Sequence, residues 1–293
     1  TGRILIKIEK VLKKEQPNLV LVLGDTNTAL AGALSAVKLH IKIGHIEAGL
    51  RCYDRATPEE VNRVVVDHVS DYLFAPTESA VKNLLSESIS KNNIFLTGNT
   101  IVDAVYENSR IADKKSNILE ILNLKRKEYF LVTAHREENV DYKNKLAGII
   151  EGLELVAENY STPLVYPIHP RTEKAIKNFD LKISHRIRLI PPLGYIDFLK
   201  LLINSKLVLT DSGGIQEEAC ILRIPCVTLR ETTERPETIS VGSNILVGTD
   251  PDKIMEGVAY MVEKNTDWSN PFGDGKASDK IIQLIDDLEG CKI

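Results

Sequence analysis

At 293 residues, 43% hydrophobic and 27% charged, the chain has room for two ordinary domains and the balance of a globular protein. A net charge of −4 offers no basic face for nucleic acid, and the apolar runs are strand-sized, too short to span a bilayer. Four scattered cysteines (Cys52, Cys220, Cys226 and Cys291) lack the spacing of a zinc ribbon or a disulfide scaffold, so reduced thiols in the cytoplasm are expected.

Short apolar runs alternate with amphipathic stretches. In chain order the predicted strands cover 18–23, 41–46, 72–75, 94–97, 129–134, 163–168, 187–191, 207–210 and 225–229. Helical patterns lie between them, as at 26–40, 59–70, 143–158 and 215–222, and an amphipathic stretch at 278–288 closes the chain. This alternation predicts α/β architecture with parallel sheets and right-handed crossovers. Runs such as Leu19 to Leu23 read as strands buried on both faces. The pattern lapses between Ser109 and Lys127, which sets the expected boundary. Two doubly wound domains are expected, 1–112 and 113–271, with a helix in 272–293 crossing back to complete the first. Ligands of such folds bind at the carboxyl ends of the strands, so a cleft between the sheets, closing about a hinge near 109–116, is the expected site.

Polar residues gather at those strand ends. The first strand runs into Gly24-Asp25-Thr26, where Asp25 is a candidate acid or base, or else a helix cap. Glu47 lies inside an otherwise apolar run, where burial would raise its pKa toward neutrality; the alternative is a structural pair with Arg51. Thr57, Pro58 and Glu60 read as a capping box, which leaves Glu59 free to act, with Arg63 one turn on along the same helix face. His135 can move a proton or donate to phosphate, Arg136 offers a forked donor, and His169 ends the next strand beside Arg171. Ser212, Gly213 and Gly214 form a strand-to-helix turn whose open N–H groups suit a phosphate, with Glu218 one turn on to accept from ribose hydroxyls. The loop from Arg230 to Glu237 brings Arg230 and Arg235 near that turn.

Seven ordered motifs carry a resemblance: Gly24-Asp25-Thr26-Asn27-Thr28, Gly44 to Arg51, Pro58 to Arg63, Thr97-Gly98-Asn99-Thr100, Thr133 to Glu137, Thr210 to Glu218 and Thr232 to Glu237. Together they resemble the non-hydrolysing UDP-N-acetylglucosamine 2-epimerases. The resemblance implies two Rossmann-like domains of the glycosyltransferase-B type. It implies reversible conversion of UDP-GlcNAc to UDP-ManNAc, by elimination of UDP to a 2-acetamidoglucal and re-addition. By motif, Asp25, Glu47 and Glu59 become catalytic carboxylates and His135 a catalytic or phosphate-contacting group. Ser212, Gly213 and Gly214 would hold phosphate, Glu218 the ribose, and Arg235 the sugar or phosphate; Arg63, Arg136 and His169 complete the substrate-binding set. The resemblance departs at the start: the chain opens at Thr1 without the family's first strand and Gly-Thr-Arg-Pro-Glu type loop, so the first domain is expected to lack its N-terminal part. The partners expected are a UDP-sugar substrate and a second copy in a homodimer, with no nucleic acid, membrane, metal or cofactor. A hydrolysing 2-epimerase, a glycosyltransferase of the same fold and a non-catalytic UDP-sugar-binding subunit are the competing readings.

Overall fold

The computed structural model describes residues 1–290, apart from the Glu289 side chain. The chain forms two compact units, one of Thr1–Asp103 with the segment from Phe272, the other of Ala104–Pro271. The division falls inside the helix Thr100–Lys115, which runs unbroken through the first part of the polar stretch where the sequence pattern lapses. Asp113, Lys114 and Lys115 are charged, but none breaks a helix, and the two lysines favour its C-terminal end.

The first unit is built on a four-stranded parallel sheet in the order β1 (Leu19–Leu23), β2 (Lys42–Ile46), β3 (Tyr72–Ala75), β4 (Ile94–Leu96). Thr26 caps the helix Asn27–Lys38, its hydroxyl accepting from Ala29 N–H at 3.2 Å, and that helix buries Ala29, Ala33 and Ala36 with Val22 and Ile43. The helix Ala277–Glu289 lays Ile281 and Ile285 against Phe74. Asp103 anchors its start, accepting from the N–H groups of Ala277 (3.2 Å) and Ser278 (3.0 Å). Within this chain β1 stands first in the strand order, and Leu21 and Leu23 are exposed.

The second unit holds a six-stranded parallel sheet. Its strands are β5 (Phe130–Thr133), β6 (Leu164–Pro167), β7 (Ile187–Ile190), β8 (Leu207–Thr210), β9 (Cys226–Thr228) and β10 (Asn244–Leu246), in the order β10-β9-β8-β5-β6-β7. β10, three residues long, is absent from the sequence reading. Alternation along β5 builds a core on each face: Phe130 and Val132 pack with Ile149, Leu153 and Val258, while Leu131 packs with Leu201, Leu202 and Ile224. Full burial of each such side chain contributes about 1.5–3 kcal/mol. The strand order reverses between β5 and β8, so this unit has its switch point where Thr133 and Thr210 end their strands side by side.

Candidate functional site

In the first unit the candidate groups stand at the ends of β1 and β2. Gly24 turns the chain at φ 65°, and Asp25 follows it, its carboxylate 2.5 Å from Arg63 Nη1. Thr26 caps the following helix, so Asp25 is not its cap. Glu47 is partly buried and holds a left-handed backbone, φ 70°, which is strained for a residue with a Cβ. A Cβ on Gly24 would come to 3.2 Å from Glu47 Oε2, so the Glu47 carboxylate lies against the turn that presents Asp25. The Arg51 guanidinium pairs with Asp67 and Glu87, each at 2.7 Å.

The capping box is not formed. Thr57 stands at the N-cap of the helix Pro58–Val69 without a side-chain hydrogen bond. Glu60 instead turns back to the preceding loop, accepting from Cys52 N–H (3.1 Å) and Tyr53 N–H (2.9 Å) and pairing with Arg63 at 2.9 Å. Burial works against its ionisation, but those two N–H groups and Arg63 hold its pKa below the usual carboxylate value. Arg63 is thus buried between Asp25 and Glu60, not paired with Glu59. Glu59 is left on a partly exposed face of the same helix.

In the second unit the groups converge on the switch point. Asp211, fully buried at the end of β8, reaches across to the end of β5. Its carboxylate accepts from the N–H groups of His135 (2.9 Å) and Arg136 (2.8 Å). The His135 ring stands 5.4 Å from that of His169. Burial lowers the His135 pKa, His169 and Arg136 lower it further, and Asp211 opposes them. His169 caps the helix Pro170–Asn178, its Nδ1 accepting from Arg171 N–H at 3.1 Å, which leaves Nε2 as the protonated nitrogen of the neutral ring. Arg171 is spent on Glu137 (2.6 Å) and Asp141 (3.0 Å) at the surface.

Ser212 is the N-cap of the helix Gly213–Ile221. Gly214 is exposed, and a Cβ there would meet nothing within 4 Å. Arg230 and Glu234 pair at 2.9 Å, Arg136 lies 3.7 Å from Glu234, and Arg235 pairs with Glu217 at 2.8 Å. Burial would raise the Glu234 pKa, but Arg235 and Arg230 beside it hold it down to about 2. Glu218 goes the other way: burial pushes it up to about 7, against a hydrogen bond from the Tyr195 hydroxyl at 3.0 Å.

Sequence reasoning missed Asp67, Asp211 and Tyr195. Asp211 sits inside the glycine-rich motif, but nothing local showed that it reaches His135, and the i,i+4 spacing of Asp67 to Arg63 is not the pairing it makes. Tyr195 had no local signal. Among the described residues no group of three or more His, Cys, Asp or Glu side chains is placed to hold a metal ion, and no helix is long and apolar enough to cross a membrane. Cys52, Cys220 and Cys226 are free; Cys291 lies outside the described residues.

Two parallel α/β units with polar groups at their strand ends are Rossmann-like domains of the glycosyltransferase-B type. The crystal structure of the Methanocaldococcus jannaschii UDP-GlcNAc 2-epimerase in complex with UDP-GlcNAc and UDP superposes on 97% of this chain and 80% of that one, with a TM-score of 0.91 and 53% identity. The curated sequence of that organism's UDP-N-acetylglucosamine 2-epimerase is 53% identical over 97% of this chain and 80% of its own length. The UDP-2,3-diacetamido-2,3-dideoxy-D-glucuronate 2-epimerase of Pseudomonas aeruginosa is 41% identical over 97% of this chain and 79% of its own length. The family profile described as UDP-N-acetylglucosamine 2-epimerase matches residues 1–286. The chain belongs to the UDP-N-acetylglucosamine 2-epimerase family, isomerases of the non-hydrolysing kind.

Proposed function

We propose that the chain interconverts UDP-N-acetylglucosamine and UDP-N-acetylmannosamine by elimination and re-addition of UDP. The observation that carries this reading is the pair of carboxylates in the first unit, Asp25 at the end of β1 and Glu47 strained against the turn before it. The C2 hydrogen of the sugar is not acidic enough to leave alone. Its removal by a carboxylate must therefore accompany cleavage of the bond from C1 to the UDP oxygen. The C–H electron pair becomes the C1–C2 double bond of a 2-acetamidoglucal, and the C1–O pair leaves with UDP. Re-protonation at C2 from the opposite face and attack of UDP oxygen at C1 complete a redox-neutral cycle.

Asp25, Glu47 and Glu59 act as the acids and bases of these proton transfers. The start of the helix Gly213–Ile221, with Arg136 and His135, stabilises the charge that develops on the departing diphosphate. Glu218 accepts from the ribose hydroxyls. The relatives named above support UDP-GlcNAc as substrate, since the structural match is a complex with UDP-GlcNAc and UDP.

Incubation with UDP-GlcNAc in deuterated water tests the reading: deuterium is expected at C2 of both epimers, with UDP-sugar as the product. Epimerised sugar that retained its original hydrogen would refute elimination, and accumulation of UDP with free N-acetylmannosamine would make the enzyme a hydrolysing one. A second reading, favoured by the 41% identity to the P. aeruginosa enzyme, keeps the chemistry and changes the sugar to a UDP-diacetamido-glucuronate. Turnover of that sugar in preference to UDP-GlcNAc would select it.

A further inference from the structure

His45 lies in β2 with none of its surface exposed. Its ring nitrogens face two acceptors. Nδ1 is 2.6 Å from Asp67 Oδ1, and Nε2 is 3.0 Å from the Gly24 carbonyl oxygen. The other Asp67 oxygen accepts from Arg51 Nη1 at 2.7 Å and from Gly49 N–H at 3.1 Å, so this carboxylate is an acceptor on both sides. Both partners are acceptors, so a hydrogen-bond chain running through the ring requires a hydrogen on each of its nitrogens. Basic and acidic side chains alternate in this cluster: His45, Asp67, Arg51 and Glu87, the last 2.7 Å from Arg51 and 3.8 Å from His68. Alternation of this kind allows such a group of charges to be buried.

The chain of contacts ends on Gly24 and Gly49, beside two proposed catalytic residues. Gly24 donates its N–H to the Ile46 carbonyl at 3.0 Å and offers its own carbonyl to His45. The two peptides that flank Gly24 in its left-handed turn are therefore each held, and the Asp25 carbonyl accepts from Asn62 Nδ2 at 2.8 Å. Just past the end of β2, Glu47 stands between His45 and Gly49, and both of those neighbours are tied to the one carboxylate of Asp67. That arrangement clamps the strained backbone of Glu47 from either side.

We propose that the buried His45–Asp67 pair is the positioning unit of the active site, fixing through one shared hydrogen-bond chain the directions of both Asp25 and Glu47. The proposal rests on the catalytic reading of those two carboxylates. His45 and Asp67 touch no reacting atom; they act through Gly24, Gly49 and the backbone.

The test is kinetic and spectroscopic. Glutamine at 45 can donate toward Gly24 or toward Asp67 but cannot span both. The His45→Gln protein is expected to fold and to bind UDP as the parent does, by calorimetry. Its kcat is expected to fall about 10²-fold, the scale of a misplaced catalytic group, with little change in KM. Combined with Asp25→Asn, the loss should be smaller than the product of the single losses, because both act on one group. Parental kcat in a folded His45→Gln protein, or fully multiplicative losses in the double variant, would overturn the proposal.

Should the variant fail to fold, nitrogen-15 NMR of the parent reads the ring directly. Two slowly exchanging imidazole N–H signals for His45 are expected, and a ring with one N–H would refute the shared chain. That spectrum does not depend on turnover. Absence of deuterium at C2 in the parent would refute the catalytic reading while leaving the spectrum to decide the contacts.

Discussion

Gly213 lies directly under the Glu234 carboxylate: a Cβ at 213 would sit 2.2 Å from Glu234 Oε1. The glycine thus makes room for an internal carboxylate that Arg230 and Arg235 hold ionised, and Gly214, open on its outer side, is the glycine that an anion can approach. Gly213→Val is expected to destabilise the protein by about 1–3 kcal/mol, as overpacking does, and to weaken UDP at the same time. Gly214→Val should weaken UDP by about tenfold or more, roughly 1.4 kcal/mol, at unchanged stability. Thermal melts and calorimetry with UDP read the two effects separately, and equal destabilisation by both variants would contradict this division of roles.

Glu218 makes a pH prediction with a definite sign. Its pKa in the fold, about 7, lies above the ordinary value of 4.5, so the folded protein holds a proton that the unfolded chain has released. Stability from this group is complete below about 4.5 and declines as pH rises through about 7, by on the order of 2–3 kcal/mol in all. Denaturant midpoints at pH 5 and pH 8 should differ in this direction for the parent and converge for Glu218→Gln. Since the ionised carboxylate accepts better from ribose hydroxyls, UDP affinity should rise over the same interval, and that rise should vanish in Glu218→Gln.

Tyr195 tunes that titration. Its hydroxyl donates to Glu218 and opposes the upward push of burial, so Tyr195→Phe should move the midpoint of the UDP affinity profile to higher pH. A profile that stayed in place would remove Tyr195 from the site.

Neighbouring glutamates on one helix should behave differently. Glu59→Gln, like Glu47→Gln, is expected to lower kcat by roughly 10²-fold or more with UDP affinity little changed. Glu60→Ala should act first on the fold, because it leaves the N–H groups of Cys52 and Tyr53 without their acceptor and takes from the buried Arg63 one of its two carboxylate partners. A loss of about 1–3 kcal/mol in a denaturant titration is expected. An active Glu59→Gln enzyme would return Glu59 to the role of a favourable charge at a helix start.

Asp211→Ala should release the turn after β5. It removes the acceptor of the His135 and Arg136 N–H groups and leaves them buried and unpaired, at a cost of about 1–3 kcal/mol for each group. Both UDP binding and stability should fall, seen by calorimetry and melting. UDP affinity equal to that of the parent would show that the turn is held by other contacts.

The sequence by itself determined the alternation of elements, since nine of the strands and the helices between them are written in local apolar runs, caps and glycine-rich turns. It also marked the strand ends where Asp25, Glu47, His135 and Ser212 stand, because the place of a motif after a strand is a local property. Only tertiary structure decided which partners these residues have. Glu60 fits a capping box by spacing, yet the loop at Cys52 and Tyr53 and the side chain of Arg63 offer its carboxylate three donors at once. Asp67 reaches Gly49, 18 residues away, and Asp211 reaches His135, 76 residues away. Hydrogen bonds and ion pairs of that span depend on how strands and helices pack, and no local pattern in the chain encodes them.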